Sequence, residues 1–509
     1  MPAPSPALER LQAHLHTTRL LGSIQSALYY DQNTVMPPEG GPWRGEQLAL
    51  VAGQLHARQS SDAYVELVAA VEAETDAASP EPLRRNLQLL RLELNRQRCL
   101  DPALVTRLAQ AQSRGNALWQ EARRQNDFAS FAQALAELVS LRQEQARQLA
   151  AAEPVERSPW EVLAQPFEPE IGKARLQELF TPLRRDLPGL LERARSLPAP
   201  SRDLAASADL PEASQEMLCA ELLDSWGYEP SRCQRSRSAH PFSCTLGPGD
   251  FRITTRVVPN QPFSAFLATA HEWGHSLYEQ GLPRGDDHYF PWPLGEATSM
   301  GVHESQSLFW ECRVARSQAF ARRWQPRFEQ LLGHDAWGGA SGFWRALNPM
   351  RAGLIRVEAD ELSYGLHIVL RFELELALLE QGMAVQDLPG EWNRRMQDLL
   401  GLTPANDAEG CLQDIHWAEG LFGYFPSYAL GHLISAQVAE TMEAELGPID
   451  ERVAQSDEAA LKGWLARAVW PHGRGCNGEE LVQRVSGRPL SAEPFLHYLK
   501  VKLERLAES

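Results

Sequence analysis

The chain of 509 residues contains no run approaching the ~18 consecutive apolar residues of a membrane span. Its opening stretch, MPAPSPALERLQAHLHTTRLL, has no basic start and no unbroken apolar segment, so it does not read as a secretory leader. Cysteine is scarce. Cys99, Cys219, Cys233, Cys244, Cys312, Cys411 and Cys476 are odd in number and scattered, and no C-x-x-C pair occurs. That pattern fits free thiols in a reducing compartment, and the expected location is the cytoplasm. Positive charge is in deficit as well. A net charge of −17 argues against nucleic acid and anionic membranes as main partners. There is no internal repeat and no low-complexity tail.

What is present is ordinary globular material, 43% apolar with 14 Trp, enough for a large core. The length permits roughly two to four domains, but a helical enzyme can also be one unit. We expect a mainly α fold over 1–509 with a deep cleft and one small β-hairpin or sheet. Residues 1–150 should wall the cleft, and 230–440 should carry the chemistry. Residues Ala7–Leu28 read as a helix with Leu8, Leu11 and Leu15 on one face, and Tyr29–Gly41 as a Pro/Gly loop. Leu83, Leu87, Leu90 and Leu94 mark an amphipathic helix. Glu153–Gly172 and Leu197–Pro211 read as connections. Further helical patterns span about Gly295–Trp324, Leu354–Gly382, Val385–Leu402, Gly420–Leu446, Asp457–Trp470 and Ala492–Ala507. Strand-like alternation is convincing only at His240–Leu246 and Phe251–Val258, which flank a Gly-Pro-Gly-Asp turn. An edge of such a hairpin could pair with an extended peptide.

The hairpin runs into His271-Glu272-Trp273-Gly274-His275, an H-E-x-x-H pattern within Gln261–Gly281. Phe263, Phe266, Leu267, Ala270, Gly274, Leu277 and Tyr278 recur at helical spacing. Pro262 suits the first helical turn and Gly281 its end. One turn apart on a helix, His271 and His275 can reach the same metal ion, while Glu272 is offset and can hold a water. Three polar side chains in an apolar helix need a reason, and zinc peptidase chemistry supplies one.

Zinc needs a third protein ligand. Glu304, in His303-Glu304-Ser305-Gln306-Ser307, is followed by Leu308-Phe309-Trp310, which makes its helix look buried. Ser307, His303 or a nearby carboxylate could orient the ligands. Downstream, Arg356, Asp360 and Ser363/Tyr364 fall on one side of an expected helix. Arg356, or Arg252 of the hairpin, could grip the free carboxylate of a peptide. In Gly410–Trp417 and Gly423–Tyr428, a protonated His416 and the hydroxyl of Tyr424 or Tyr428 could donate to an oxyanion.

These blocks occur as HPF at His240–Phe242, D-x-R-x-T at Asp250–Thr254, HEWGH, HESQS, IRVEAD at Ile355–Asp360 and GCLQDIHW at Gly410–Trp417. In that order, together with YYDQNTVMPPEGG, the chain resembles the carboxypeptidase Taq family of zinc metallocarboxypeptidases along nearly its whole length. Ser243 and Ser363 stand where that family more often has threonine, which touches cleft shape and not the reaction. The resemblance implies a helical fold with a deep groove, usually a homodimer. It also implies zinc on His271, His275 and Glu304, with cobalt able to substitute in some members. Glu272 becomes the general base and acid, His240 and Tyr428 fall among the substrate-binding positions, and Arg252 or Arg356 anchors the substrate. The implied reaction is release of single residues from peptide C-termini, broad in side chain but poor with proline. The rivals are a related oligoendopeptidase or dipeptidyl carboxypeptidase, and a non-catalytic zinc-containing peptide-binding protein. The presence of Glu272 speaks against the last, because metal binding alone does not require it.

Overall fold

The computed structural model describes residues 5–153, 155–197, 209–284 and 291–508. The first half is a series of helices: α1 Pro6–Thr34, α2 Gly41–Ser60, α3 Asp62–Glu74, α4 Glu81–Arg98, α5 Pro102–Gln125 and α6 Phe128–Ala150. Side chains of Ser5, Ser61, Asp101 and Asp127 accept backbone N–H groups at four of their starts, so polar residues between the apolar runs set the boundaries. Ala7, Leu11 and Leu15 of α1 pack with Tyr64, Val68 and Leu90 in a small cluster of their own, joined by Trp292. α5 and α6 form an antiparallel pair whose ends reach the larger core.

α7 Pro159–Ala164, α8 Lys173–Ala194 and α9 Glu212–Ser225 lead to a three-stranded sheet of β1 Cys233–Arg237, β2 Ser243–Gly247 and β3 Asp250–Thr255. β2 and β3 are the antiparallel hairpin expected from the alternation. β1 pairs parallel to β3 and was not foreseen, because Cys-Gln-Arg-Ser-Arg has no apolar alternation. The order β1-β3-β2 leaves β2 at an edge. Next come α10 Ser264–Gly281, α11 Met300–Leu308, α12 Gln318–Leu332, α13 Ala340–Leu347, α14 Tyr364–Leu379 and α15 Leu388–Leu400. α16 Pro426–Leu446, α17 Ile449–Ala454, α18 Glu458–Ala468, α19 Gly478–Ser486 and α20 Glu493–Glu508 complete the described chain.

Several boundaries depart from the periodic reading. α1 continues to Thr34, into the expected Tyr29–Gly41 loop, with Asn33 and Thr34 bonding back to the carbonyls of Tyr29 and Tyr30. Pro262 lies before the start of α10 instead of in its first turn. The Gly295–Trp324 pattern is three pieces, in which α11 runs into a π-helix at Phe309–Ala315 before α12. Leu354–Ser363 is not α-helical, so Arg356, Asp360 and Ser363/Tyr364 do not share a helix face. The Asp360 carboxylate accepts the N–H groups of Arg351, Leu362 and Ser363, which holds the chain in turns until α14 begins. α16 starts at Pro426 and not at Gly420, because Gly420 and Gly423 take positive φ in the preceding loop. Most of the expected Leu197–Pro211 connection lies outside the described residues.

Two close approaches fix the centre of the molecule. A Cβ on Gly274 would stand 2.7 Å from both the Gln306 carbonyl oxygen and the Ser307 Cα, so glycine lets α10 lie directly on α11. A Cβ on Gly431 would stand 2.6 Å from Glu304 Cγ, which allows α16 to close over the same place. Both contacts involve backbone or a tightly packed side chain, and neither can relax cheaply. Gly274→Ala should therefore cost about 1–3 kcal/mol in urea unfolding. It should also weaken divalent-metal binding by His271, His275 and Glu304, by pushing Glu304 off α10. Unchanged stability together with unchanged metal affinity would show that the helices can part without consequence.

Candidate metal centre

α10 presents His271 and His275 one turn apart, and α11 brings Glu304 against them. One Glu304 carboxylate oxygen lies 3.8 Å from His271 Nε2 and 3.5 Å from His275 Nε2. The ligand atoms of all three residues fall within 4.8 Å of one another, the one such His/Cys/Asp/Glu group found among the described residues. Tetrahedral zinc bonds of ~2.1 Å place ligand atoms ~3.4 Å apart, so the donor set fits a single zinc ion in both chemistry and spacing.

Hydrogen bonds behind the rings decide which nitrogens face inward. His271 Nδ1 lies 3.0 Å from Glu311, a carboxylate that can only accept, so Nδ1 carries a proton and Nε2 is the nitrogen turned toward Glu304 and free to bind a metal once its own proton leaves. His275 Nδ1 is 2.6 Å from His303 Nδ1, and His303 Nε2 is 3.1 Å from Glu279. Glu279 fixes the proton of His303 on Nε2, so His303 Nδ1 accepts from His275 and Nε2 of His275 also faces Glu304. Both outer carboxylates end on arginines, Glu311 on Arg316 at 2.8 Å and Glu279 on Arg284 at 2.6 Å. Ser307 Oγ approaches Glu304 at 3.4 Å. Ser307, His303 and neighbouring carboxylates all take part, where the sequence left the choice open.

The electrostatics of the metal-free chain follow from burial. Burial works against charge on Glu304, yet the adjoining His271 and His275 hold it down at about 2. Burial opposes charge on His271 too, but Glu304 and Glu311 outweigh it and push the imidazole up to about 10. His275 goes the other way, to about 4, chiefly through burial. Burial raises Glu272 to about 7, against the pull of the His271 charge. Glu279 and Glu311 are buried, but their arginine and histidine partners keep both well below the usual carboxylate range.

The remaining sequence candidates fall into two groups. Arg356 Nε donates to Asp414 at 2.8 Å and Nη1 to the Tyr364 hydroxyl at 3.0 Å, with its guanidinium 4.8 Å over the Tyr428 ring. The second oxygen of Asp414 is taken by the fully buried Arg371. His416 Nε2 lies 3.3 Å from the Tyr428 hydroxyl, and its ring sits 5.4 Å from that of Tyr424. Burial drives His416 down to about 4, so it is a neutral donor near pH 7 and not the protonated one expected. The charge of Glu304 is felt at Tyr364, Tyr424 and Tyr428, which puts this cluster beside the metal centre. Arg252 stands apart from it on β3, paired through two N–H groups to Asp250 and stacked 4.9 Å over Tyr30 of α1. His240 is exposed before β2, and its backbone carbonyl accepts from Ser238.

Sequence reasoning missed Glu311, Glu279, Arg316, Arg284 and Arg371. Two of these carried a readable signal. Glu279 follows His275 by one helical turn, and Glu311 follows Glu304 by two.

The family model described as carboxypeptidase Taq (M32) metallopeptidase matches residues 10–503. Thermostable carboxypeptidase 1 of Thermus thermophilus is 36% identical over 509 residues, covering 99% of both chains. Carboxypeptidase 1 of Bacillus subtilis is 31% identical over 94% of each. The crystal structure of the M32 carboxypeptidase from Deinococcus radiodurans superposes with a TM-score of 0.93 at 31% identity, covering 99% of this chain and 100% of the other. With agreement over almost the full length in both sequence and fold, the chain belongs to the carboxypeptidase Taq (M32) metallopeptidase family.

Proposed function

We propose that this protein is a zinc-dependent carboxypeptidase that hydrolyses the C-terminal peptide bond and releases single amino acids. The observation that carries the reading is the inward-facing His271, His275 and Glu304 set with Glu272 beside it, in a chain of this family. When bound there, zinc supplies Lewis acidity for the scissile carbonyl and makes water a competent nucleophile at neutral pH. Glu272, buried and with a proton affinity suited to neutral pH, takes the proton from the attacking water and passes it to the leaving amine nitrogen. Neutral His416 and the Tyr428 or Tyr424 hydroxyl donate to the oxygen on which negative charge develops.

Arg356 fixes the register by binding the substrate's terminal carboxylate. Of the two arginines named from the sequence, Arg252 already spends a two-pronged edge on Asp250, whereas Arg356 gives Asp414 only its Nε. Arg356 also shares its surroundings with His416 and Tyr428. The N-terminal helices wall the groove, and β2, an edge strand of the sheet, is where an extended peptide would pair. Broad side-chain preference with poor cleavage next to proline, cobalt as a substitute metal, a homodimer and a cytoplasmic location complete the proposal. The first three of these rest on the family resemblance, and the location rests on the scattered, unpaired cysteines. No described helix is long and apolar enough to cross a membrane.

The test is mass spectrometry of a ten-residue peptide and its C-terminal amide after incubation with zinc-loaded protein. A ladder of single-residue losses from the free acid, with the amide intact, is expected. Internal cuts in both peptides would replace this reading with an endopeptidase. Glu272→Gln should retain one zinc per chain by metal analysis and lose at least ~1,000-fold in turnover. A variant that still trims peptides would remove Glu272 from the mechanism. Arg356→Ala should raise KM for free-acid peptides by roughly 30-fold or more while Arg252→Ala changes it little. The reverse ranking would move the anchor to the hairpin.

A further inference from the structure

α20 supplies none of the residues assigned above, yet one of its faces backs both halves of the site. Phe495, Tyr498 and Lys502 recur at i, i+3 and i+7; Phe495 and Lys502 are buried and Tyr498 is half-buried. Lys502 Nζ lies 2.5 Å from one oxygen of Glu361 and 2.9 Å from the Tyr498 hydroxyl. That hydroxyl accepts from Lys502, and its own proton can reach the other Glu361 oxygen at 2.9 Å or the Cys312 carbonyl at 3.1 Å. The Arg313 guanidinium stacks 3.4 Å from the centre of the Tyr498 ring.

The groups held in this way belong to different parts of the site. Cys312 and Arg313 sit on the π-helix directly after Glu311, the carboxylate behind His271. Glu361 lies between Asp360, whose carboxylate keeps the Arg356 segment in turns, and Tyr364, whose hydroxyl accepts from Arg356 Nη1. A second contact runs alongside. The Phe495 ring packs 5.1 Å from that of His432, which in turn lies 5.4 Å from Tyr364. Charge follows the same course: burial opposes the charge of Arg316, and Glu311 foremost, with Glu361, outweighs it.

The side chains of Lys502 and Glu361 are only 5% and 8% exposed. Desolvation largely cancels the attraction in such a pair, so apolar side chains would attach α20 as firmly. Apolar contacts do not fix direction, whereas hydrogen bonds do. We propose that Tyr498 and Lys502 are positioning residues that, by holding Glu361 and the Cys312 carbonyl on one helix face, set the spacing between Arg356 and the metal centre, a role that rests on the C-terminal peptidase activity proposed above. In such an enzyme that spacing is the register. It decides how far from the terminal carboxylate the chain is cut.

The test compares zinc-loaded wild type, Lys502→Met and Tyr498→Phe on a free-acid peptide, with its C-terminal amide as a competitive inhibitor. Each variant should keep one zinc per chain and raise KM for the free acid at least ~10-fold, with a smaller fall in kcat. The inhibition constant of the amide, which has no carboxylate to anchor, should stay within about threefold of wild type. A merely structural part for α20 would lower the folded fraction, and with it the apparent kcat, at unchanged KM. That result, or equal weakening of acid and amide, would overturn the proposal. Tyr498→Phe removes one oxygen and keeps the ring beneath Arg313, so it carries the test alone if Lys502→Met does not fold. Wild type that cuts the amide as readily as the acid would remove the C-terminal reading and the positioning role together. Wild type that discriminates, beside variants that discriminate equally well, would remove the positioning role alone.

Discussion

Glu304 must stay ionised in a protein interior, packed between two imidazoles and beneath α16, with its side chain 14% exposed. Removing a carboxylate from water costs several kcal/mol unless compensating charge lies within a few ångströms. In the metal-free chain the two histidines are that compensation, and they divide the work unequally, one imidazole raised in proton affinity and the other lowered. The arrangement requires α10, α11 and α16 to meet at less than ordinary side-chain spacing. Gly274 and Gly431 provide this by having no Cβ to lose. A dication placed among these three donors would replace a shared proton with a stronger, fixed charge, the usual relation between a protonated ligand cluster and its metal.

The same requirement spreads outward in alternating charge. His271 is backed by Glu311 and then Arg316, and His275 by His303, Glu279 and Arg284. Each chain ends in a guanidinium that also holds backbone carbonyls, Leu347 for Arg316 and Gly295 for Arg284, so the last charge is anchored to main chain rather than left to solvent. The π-helix at Phe309–Ala315 follows directly from α11 and carries Glu311, so the departure from α geometry falls where the second carboxylate must reach the far side of the His271 ring. Rings fixed at both nitrogens lose little freedom when a metal binds.

How much of this could be read from the chain follows from which contacts are local. His271, Glu272 and His275 were legible because helical spacing alone puts them together. Glu304 was legible because a lone carboxylate before Leu308-Phe309-Trp310 needs a buried reason. The hairpin was legible from alternation, while β1, polar and paired through its backbone, was not. The stretch from Leu354 to Ser363 misled for a definite reason. Its apolar residues suit a helix, but Asp360 captures three N–H groups and keeps the segment in turns, which places Arg356 within reach of Asp414 and Tyr364. The Asp414 bridge between Arg356 and Arg371 joins residues 58 and 43 positions apart, and no local pattern reports it. The order of motifs reached further than the spacing within any one of them, since that order carried the resemblance to a family and with it the fold.

His416 and Tyr424 lie on irregular backbone, and two buried carboxylates explain how that backbone keeps its shape. Glu375 of α14 accepts the indole N–H groups of Trp160 and Trp417 and the backbone N–H of Gly423, pinning the loop that carries His416 and Tyr424. Glu168 accepts from Gly301 and Ser427, joining the first turns of the helices that bear Glu304 and Tyr428. α5 braces the same loop from outside, with Trp119 and Gln112 donating to the carbonyls of Leu412 and Glu419. Neither carboxylate has a cationic partner within ion-pair distance among the described residues, and burial raises both to about 7. Losing either carboxylate would leave its buried donors without an acceptor, at ~1–3 kcal/mol each. What they supply is direction. A helix needs no side chain to hold its own backbone, but a loop with Gly420 and Gly423 at positive φ does, and the acceptors that hold it are placed where His416 and Tyr424 must not drift.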